Sequence, residues 1–168
     1  MRLFFALWPD PETGKAWHDG LAPYVMPLGG HRVPAGNLHL TLAFLGELPG
    51  SRINALLALG DGLPHDPVTL RFDRVESWKK PGLACLRPTD TPAALVRLVE
   101  RLHAGLALAG FPVEARHFKP HVTLSSWPGA LGWCICGVHM LFNPAPVPSC
   151  STFACLLHSA GHWSGVFL

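Results

Sequence analysis

Residues 37–46 read Asn-Leu-His-Leu-Thr-Leu-Ala-Phe-Leu-Gly, and we start from this stretch because it places two polar side chains inside an apolar run. His39 and Thr41 stand two residues apart, and the two-residue period of a β-strand puts both on one face. We expect that face to border a cleft. The opposite face should lie in the core, and it carries Leu38, Leu40, Leu42 and Phe44.

A second stretch repeats this pattern. Residues 119–124 read Lys-Pro-His-Val-Thr-Leu, so that His121 and Thr123 again stand two apart, with the two histidines 82 residues from each other in a 168-residue chain. One such motif is common by chance, and it would then mean a histidine satisfied at a strand edge and a threonine selected for its strand propensity. Two copies in matching context instead predict two halves that each contribute one histidine to a shared site.

Composition limits the class of protein. With 168 residues, of which 49% are hydrophobic, residues 1–168 can form a single domain without disulfides or structural metal. A net charge of +2 is too small for extensive coating of nucleic acid, but it leaves a small anionic ligand open. The apolar run at residues 3–8 is too short for a signal peptide or a membrane span, so we expect a cytoplasmic protein. Five cysteines, an odd number, indicate reduced thiols.

The elements of the first half follow from hydrophobic periodicity and capping residues. Residues 2–8 read as a buried strand, and Asp10-Pro11 opens a helix that Pro23 should end. After the first His-x-Thr strand, Ser51 should cap a short helix, with Gly60 as its stop.

The second half repeats the order strand, helix and His-x-Thr strand. An alternating strand is predicted from Val68, with an antiparallel neighbour at residues 83–86, and a helix runs from Thr91-Pro92 to Gly110.

Two histidines that face each other can perform acid–base chemistry near neutral pH, one accepting a proton and the other donating one. The threonine hydroxyls, about 7 Å along each strand by its rise, can donate to an anionic oxygen. No cluster of carboxylates flanks either motif, as a divalent-metal phosphatase would require. The residues therefore favour phosphodiester cleavage without a metal ion or cofactor.

These motifs resemble those of the two-histidine (2H) phosphoesterases, specifically the bacterial RNA 2′,3′-cyclic phosphodiesterases, also called 2′-5′ RNA ligases. The similarity covers residues 1 to about 124 and includes the opening Arg-Leu-Phe-Phe-Ala-Leu of residues 2–7. The resemblance implies a bilobal α+β fold with two antiparallel sheets and outer helices around a central cleft. It also implies that residues 153–159 and 163–168 form the family's closing strands.

The resemblance also implies hydrolysis of a 2′,3′-cyclic phosphate to a 2′-phosphate, with His39 as proton donor and His121 as proton acceptor. Thr41 and Thr123 would bind the phosphate. The expected partners are RNA ends or small cyclic nucleotides, bound by a monomer that contacts no membrane. Two alternatives stay open, namely 2′-5′ ligation by the same residues and a binding module whose chemistry has decayed. Further candidate substrate contacts are His31, Phe118 and Lys119.

The sequence departs from the family just after His121. Ser125-Ser126 stands where the family usually has a small residue and an arginine, and residues 122–168 contain no Asp, Glu, Lys or Arg. Soluble domains usually carry about 25% charged residues, so this tail is atypical. Cys134, Cys136 and His139 could supply three zinc ligands, but the sequence offers no fourth at a recognised spacing, which argues against a structural zinc site.

Overall fold

A computed structural model of the chain describes residues 2–63, 68–80 and 82–127, together with the backbone of 152–159 and 162–167. Within these residues the strands are β1 Arg2–Trp8, β2 His31–Arg32, β3 Leu40–Glu47, β4 Arg74–Trp78, β5 Leu83–Arg87, β6 Val122–Ser126, β7 Thr152–Ser159 and β8 His162–Phe167. The α-helices are α1 Pro11–Gly20, α2 Ala22–Val25, α3 Ile53–Asp61 and α4 Ala93–Leu108. Short 3₁₀ turns lie at Met26–Leu28, Ala35–Asn37 and Gly50–Arg52.

All the strand pairs are antiparallel, and the sheet order is β4-β5-β6-β3-β1-β7-β8, with β2 also paired to β6. The sheet divides into two four-stranded halves. One contains β1, β3, β7 and β8, and the other contains β2, β4, β5 and β6. The residue pair Leu40–Val122 joins them. The predicted α+β class and the closing strands are confirmed, and the two expected sheets are continuous through this one junction.

The helices cover one face of the sheet and form the main core with it. Leu3, Phe5 and Leu7 of β1 face this core, together with Leu56 of α3 and the buried stripe of α4. That stripe is Leu95, Leu98, Val99, Leu102 and Leu106. The opposite face carries both His-x-Thr motifs, and we call it the histidine face.

Both His-x-Thr strands contain a bulge at the same place. Thr41 lies opposite Ala6 in β1, but the next pair is Ala43 with Phe5, so Leu42 is an extra residue. In the second half Thr123 lies opposite Cys85 and the next pair is Ser125 with Ala84, so Leu124 is extra. The duplication suggested by sequence therefore extends to the register of the backbone, because an extra residue locally resets which side chains share a face.

The expectation that Phe44 lies in the core is wrong. The bulge at Leu42 shifts the alternation of β3, so that Ala43 is buried and Phe44 is 44% exposed. Phe44 lies directly opposite Phe4, which places it on the histidine face. Leu38, Leu40 and Leu42 are buried as predicted.

Helix boundaries differ from the sequence predictions at several positions. The Asp10 carboxylate caps α1 by accepting from the Thr13 backbone N–H at 2.8 Å, as predicted. Pro23 does not end this helix, because it lies in the first turn of α2, where proline removes no hydrogen bond.

The start and stop predicted for the next helix are also displaced. Ser51 belongs to a 3₁₀ turn, and Arg52 is the N-cap of α3 without a side-chain cap. Gly60 is buried inside the helix, whose C-cap is Gly62.

The strand predicted from Val68 begins only at Arg74. The side chains of Val68, Leu70 and Phe72 are nevertheless all buried, so the alternating pattern correctly predicted which residues face the core. This segment contributes core side chains before it reaches the sheet.

Candidate active site

The two motif histidines occupy equivalent backbone positions, each one residue before a strand of its own half. The Nδ1 of His39 lies 2.7 Å from the Asn37 carbonyl oxygen, and the Nδ1 of His121 lies 2.8 Å from that of Lys119. Because a carbonyl oxygen can only accept, Nδ1–H is the donor in both bonds. The other ring nitrogen, Nε2, is then free in each neutral ring to accept a proton.

The junction between the halves brings the two motifs together. Leu40 pairs with Val122, and continuing this antiparallel register by one residue places His39 across from Thr123. The same register places Thr41 across from His121. Each histidine therefore neighbours the threonine of the other half, and the four predicted residues share one face at one point of the sheet.

His39 is enclosed by aromatic rings. The ring packs against both Phe4 and Trp8, with ring centroids 4.9 Å from each and interplanar angles of 24° and 25°, and the Phe4 and Trp8 rings are themselves 6.1 Å apart. Burial lowers the pKa of His39, the hydrogen bond to Asn37 opposes this change, and the charge of His121 lowers the pKa further. The ligand-free structure therefore favours neutral His39.

His121 has a different environment. Its ring packs against the indole of Trp78, with centroids 4.8 Å apart and planes tilted by 52°. Trp78 is bound in turn to Glu76, the carboxylate of an ion pair with Arg87. The histidines are thus equivalent in backbone position but differ in the side chains around them.

The two threonines also have different neighbours. Thr41 lies opposite Ala6, whereas Thr123 lies opposite Cys85 and its hydroxyl hydrogen-bonds to the Cys85 sulfur. Burial raises the pKa of the Cys85 thiol to about 12, with a further contribution from the Glu76 charge. Cys85 is therefore a neutral thiol at neutral pH, which excludes a thiolate nucleophile at this position.

The structure separates the remaining candidate substrate contacts. His31 is exposed and lies opposite Ser126, on the histidine face. Lys119 is exposed, and its carbonyl orients His121. Phe118 is half-buried and packs against the main core, away from the histidine face.

Sequence reasoning missed the aromatic and charged residues that surround the histidines. Phe4 and Trp8 alternate with core residues in β1, a signal that was hidden because the whole strand is apolar. Glu76 and Trp78 share one face of β4, and the exposed Ser77 between them lies on the other face. Ser126 also belongs to the histidine face, because the bulge at Leu124 turns it to the side of Thr123.

The described ranges contain no group of three or more His, Cys, Asp or Glu residues arranged to hold a metal ion. Cys134, Cys136 and His139, the zinc candidates, lie outside the described residues. Nor does any helix within those ranges have the length and apolarity needed to cross a membrane.

An α+β fold with a duplicated His-x-Thr strand, both histidines on one face, defines the class of two-histidine phosphoesterases. Comparison with known proteins identifies the family within this class. The family model described as LigT like Phosphoesterase matches residues 7–84. The chain is 34% identical to the RNA 2′,3′-cyclic phosphodiesterase of Escherichia coli, over 73% of this chain and 70% of that protein. It is also 34% identical to the protein of the same name from Thermus thermophilus, over 74% of this chain and 68% of the relative. The chain belongs to the LigT-like phosphoesterase family.

Solved structures agree with this assignment. The crystal structure of E. coli LigT in apo form superposes with a TM-score of 0.80 at 28% identity, covering 99% of this chain and 94% of that one. A complex of E. coli LigT with 3′-AMP gives a TM-score of 0.76 at 27% identity, with 99% and 94% coverage.

Proposed function

We propose that this chain is a hydrolase that opens 2′,3′-cyclic phosphates at RNA ends or in small nucleotides, leaving a 2′-phosphate. The observation that carries this proposal is the pairing of two histidines on one face, each with Nδ1–H bound to a carbonyl oxygen and Nε2 free. The relatives named RNA 2′,3′-cyclic phosphodiesterase support the substrate, and the 3′-AMP complex of one relative supports a nucleotide ligand.

In the proposed reaction His121 removes a proton from water as the water attacks phosphorus. His39, protonated when the anionic substrate is bound, gives its proton to the departing 3′-oxygen, so the P–O3′ bond breaks as the new P–O bond forms. An adjacent phosphate favours the protonated imidazole and so opposes the effect of burial on His39. Thr41 and Thr123 donate to the non-bridging oxygens, where negative charge increases in the transition state.

His31 and Lys119 are proposed as outer contacts for the rest of the substrate, because both are exposed. Phe118 is a weaker candidate because it packs against the core. A monomeric state, a cytoplasmic location and residues 1–168 as one bilobal domain remain predictions.

The decisive experiment is turnover of 2′,3′-cyclic AMP in the presence of EDTA, with the product identified as the 2′- or 3′-monophosphate by chromatography against both standards. Formation of the 2′-isomer in EDTA is the expected result. Loss of turnover in EDTA, restored by zinc or magnesium, would contradict the metal-free reaction. Binding of the nucleotide without any turnover would instead favour the decayed binding module. Joining of RNA ends under the same conditions would show the ligation alternative.

A further inference from the structure

The ring of His121 rests on a residue from two strands away. Trp78 in β4 lies opposite Leu83 in β5, which lies opposite Ser126 in β6. The indole reaches across β5 to contact the imidazole, with a centroid distance of 4.8 Å. A tryptophan that crosses a neighbouring strand needs an anchor to keep this orientation.

Glu76 and Arg87 provide that anchor. The indole Nε1–H donates to Glu76 Oε2 at 3.0 Å. Arg87 Nη1 donates to both oxygens of the same carboxylate, at 3.0 and 2.8 Å, and its guanidinium carbon lies 5.7 Å from the centre of the indole ring system. Arg74 adds a longer contact, with Nε 3.5 Å from Glu76 Oε1.

The anchor is shielded from solvent. The side chains of Arg74, Glu76 and Arg87 are 24%, 28% and 19% exposed. Burial alone would raise the pKa of Glu76, but the hydrogen bonds from Arg87 and Trp78 hold it below its ordinary value. The carboxylate therefore stays ionised, and its bonds to the indole and the guanidinium are charge-assisted.

In the first half, different residues pack against the histidine. There His39 packs against Phe4 and Trp8, both from the adjacent strand β1. By the matching registers, Trp8 stands at the position that Arg87 occupies in the second half. The Glu76 cluster is thus a feature of the second half, and the proposed reaction assigns it no role.

We propose that Trp78, held by Glu76 and Arg87, is a positioning residue for His121. This inference rests on the proposed function, in which His121 accepts a proton from water. The indole fixes the plane of the imidazole, so that Nε2 keeps its direction, and its π-face attracts the imidazolium that forms when the proton is taken up. Displacement of a catalytic group by about 1 Å can lower the rate by about 100-fold.

The test compares Trp78→Ala, Trp78→Phe and Glu76→Gln with the wild-type protein on 2′,3′-cyclic AMP. Trp78→Ala should lower kcat by about 10- to 100-fold while KM changes less than about threefold. Trp78→Phe restores an aromatic ring beneath His121 and should recover most of that loss. Glu76→Gln keeps the shape but loses the charge that holds Arg87, and we expect an intermediate kcat.

Trp17→Phe is the matched control. Trp17 packs edge-on against Phe72, with ring centroids 5.2 Å apart, and belongs to the core on the opposite face. This variant should keep the wild-type kcat. A parallel measurement of the His121 ring proton shifts by NMR should show a change in Trp78→Ala that Trp78→Phe largely avoids, because the indole ring current acts on those protons only at close range.

Three results would overturn the inference. Wild-type kcat in folded Trp78→Ala would show that the indole does not position His121. A rise in KM at constant kcat would make Trp78 a substrate contact instead. Unchanged His121 shifts would show that the rings do not pack in solution. If Trp78→Ala does not fold, Trp78→Phe and Glu76→Gln still test the inference. A wild-type kcat in Glu76→Gln would show that Glu76 is not needed to anchor Trp78. Absence of turnover in the wild type would contradict the proposed function, whereas the NMR comparison would still test the packing.

Discussion

The charge of His121 acts on His39 across the junction of the two halves, adding to the effect of burial in lowering the pKa of His39. Burial and the neighbouring charge thus act in the same direction on His39, and the hydrogen bond to the Asn37 carbonyl oxygen only partly opposes them. A proton on His39 is therefore disfavoured in the ligand-free protein.

The first prediction concerns stability at acid pH. Because the pKa of His39 is lower in the folded state than its value of 6.5 without the fold, neutral His39 is favoured on folding. This contribution to stability is fully present above pH 6.5 and is lost as the pH falls through the folded-state pKa. We expect the melting temperature of His39→Gln to fall less between pH 8 and pH 5 than that of the wild type. His117→Gln, at an exposed site, serves as control and should follow the wild type. Parallel curves for His39→Gln and the wild type would contradict the burial effect.

The second prediction is that His39→Ala and His121→Ala each reduce kcat on 2′,3′-cyclic AMP by about 10²–10⁴-fold, the scale of a lost general acid or base. Neither side chain belongs to the main core, so the folded state should persist and circular dichroism should be unchanged. Folded variants that retain turnover within threefold of wild type would rule out the two-histidine mechanism.

The third prediction concerns the threonines. Thr41→Val and Thr123→Val keep side-chain shape and strand propensity, and each should cost about 1–3 kcal/mol in kcat/KM, typical of a lost hydrogen bond to a charged oxygen. Cys85→Ala tests the second threonine further, because it removes the sulfur that the Thr123 hydroxyl contacts. This variant should retain activity if the hydroxyl turns to the phosphate when substrate binds. Wild-type kinetics in both valine variants would show that the two threonines serve only to form their strands.

Much of the site was predictable because its signal is local. His39 and Thr41 alternate with leucines in sequence, and the same alternation at His121 and Thr123 indicated a shared site without any knowledge of pairing. The burial of the α4 stripe followed from helical periodicity in the same way.

The sequence predictions failed where tertiary structure changed the register of a strand, or where a residue type fits more than one position at a helix end. The bulge at Leu42, which moves Phe44 to the histidine face, depends on pairing with β1 and has no signature in residues 37–46. The contact of Trp78 with His121 joins residues 43 positions apart through an intervening strand, so sequence periodicity could not reveal it. Pro23 was misread because proline fits the start of one helix as well as the end of another.

The fourth prediction is that Ser125→Ala stabilises the protein. Ser125 is fully buried, and its hydroxyl has no hydrogen-bond partner among the described residues. The equivalent position of the first half, given by the matching bulges, is Ala43. Leaving a buried hydroxyl unsatisfied costs about 1–3 kcal/mol, so alanine should raise the free energy of unfolding by about 1 kcal/mol. Urea denaturation measures this change, and Ser51→Ala, at an exposed position, should show almost none. Destabilisation by Ser125→Ala would mean that the hydroxyl has a partner.

The last prediction concerns the position where the family usually has an arginine. The bulge at Leu124 places Ser126 on the histidine face, exposed and opposite both Leu83 and His31. An arginine there would be directed to the same side as Thr123 and could offer two donors to a phosphate. We expect Ser126→Arg to tighten binding of a 2′- or 3′-phosphorylated nucleotide by about 1–2 kcal/mol and to steepen its dependence on salt.

The control for this variant is Ser77→Arg, which adds the same charge at an exposed position on the opposite side of β4 from Trp78. Titration of adenosine 2′-monophosphate at two salt concentrations, by calorimetry, separates the two variants. A gain in Ser126→Arg alone means that the added guanidinium acts locally at the site. An equal gain in both would assign the effect to net charge, and unchanged affinity in Ser126→Arg would show that position 126 lies out of reach of the phosphate. In that case Lys119, which is exposed next to the second motif, is the cation to replace by methionine in the same titration.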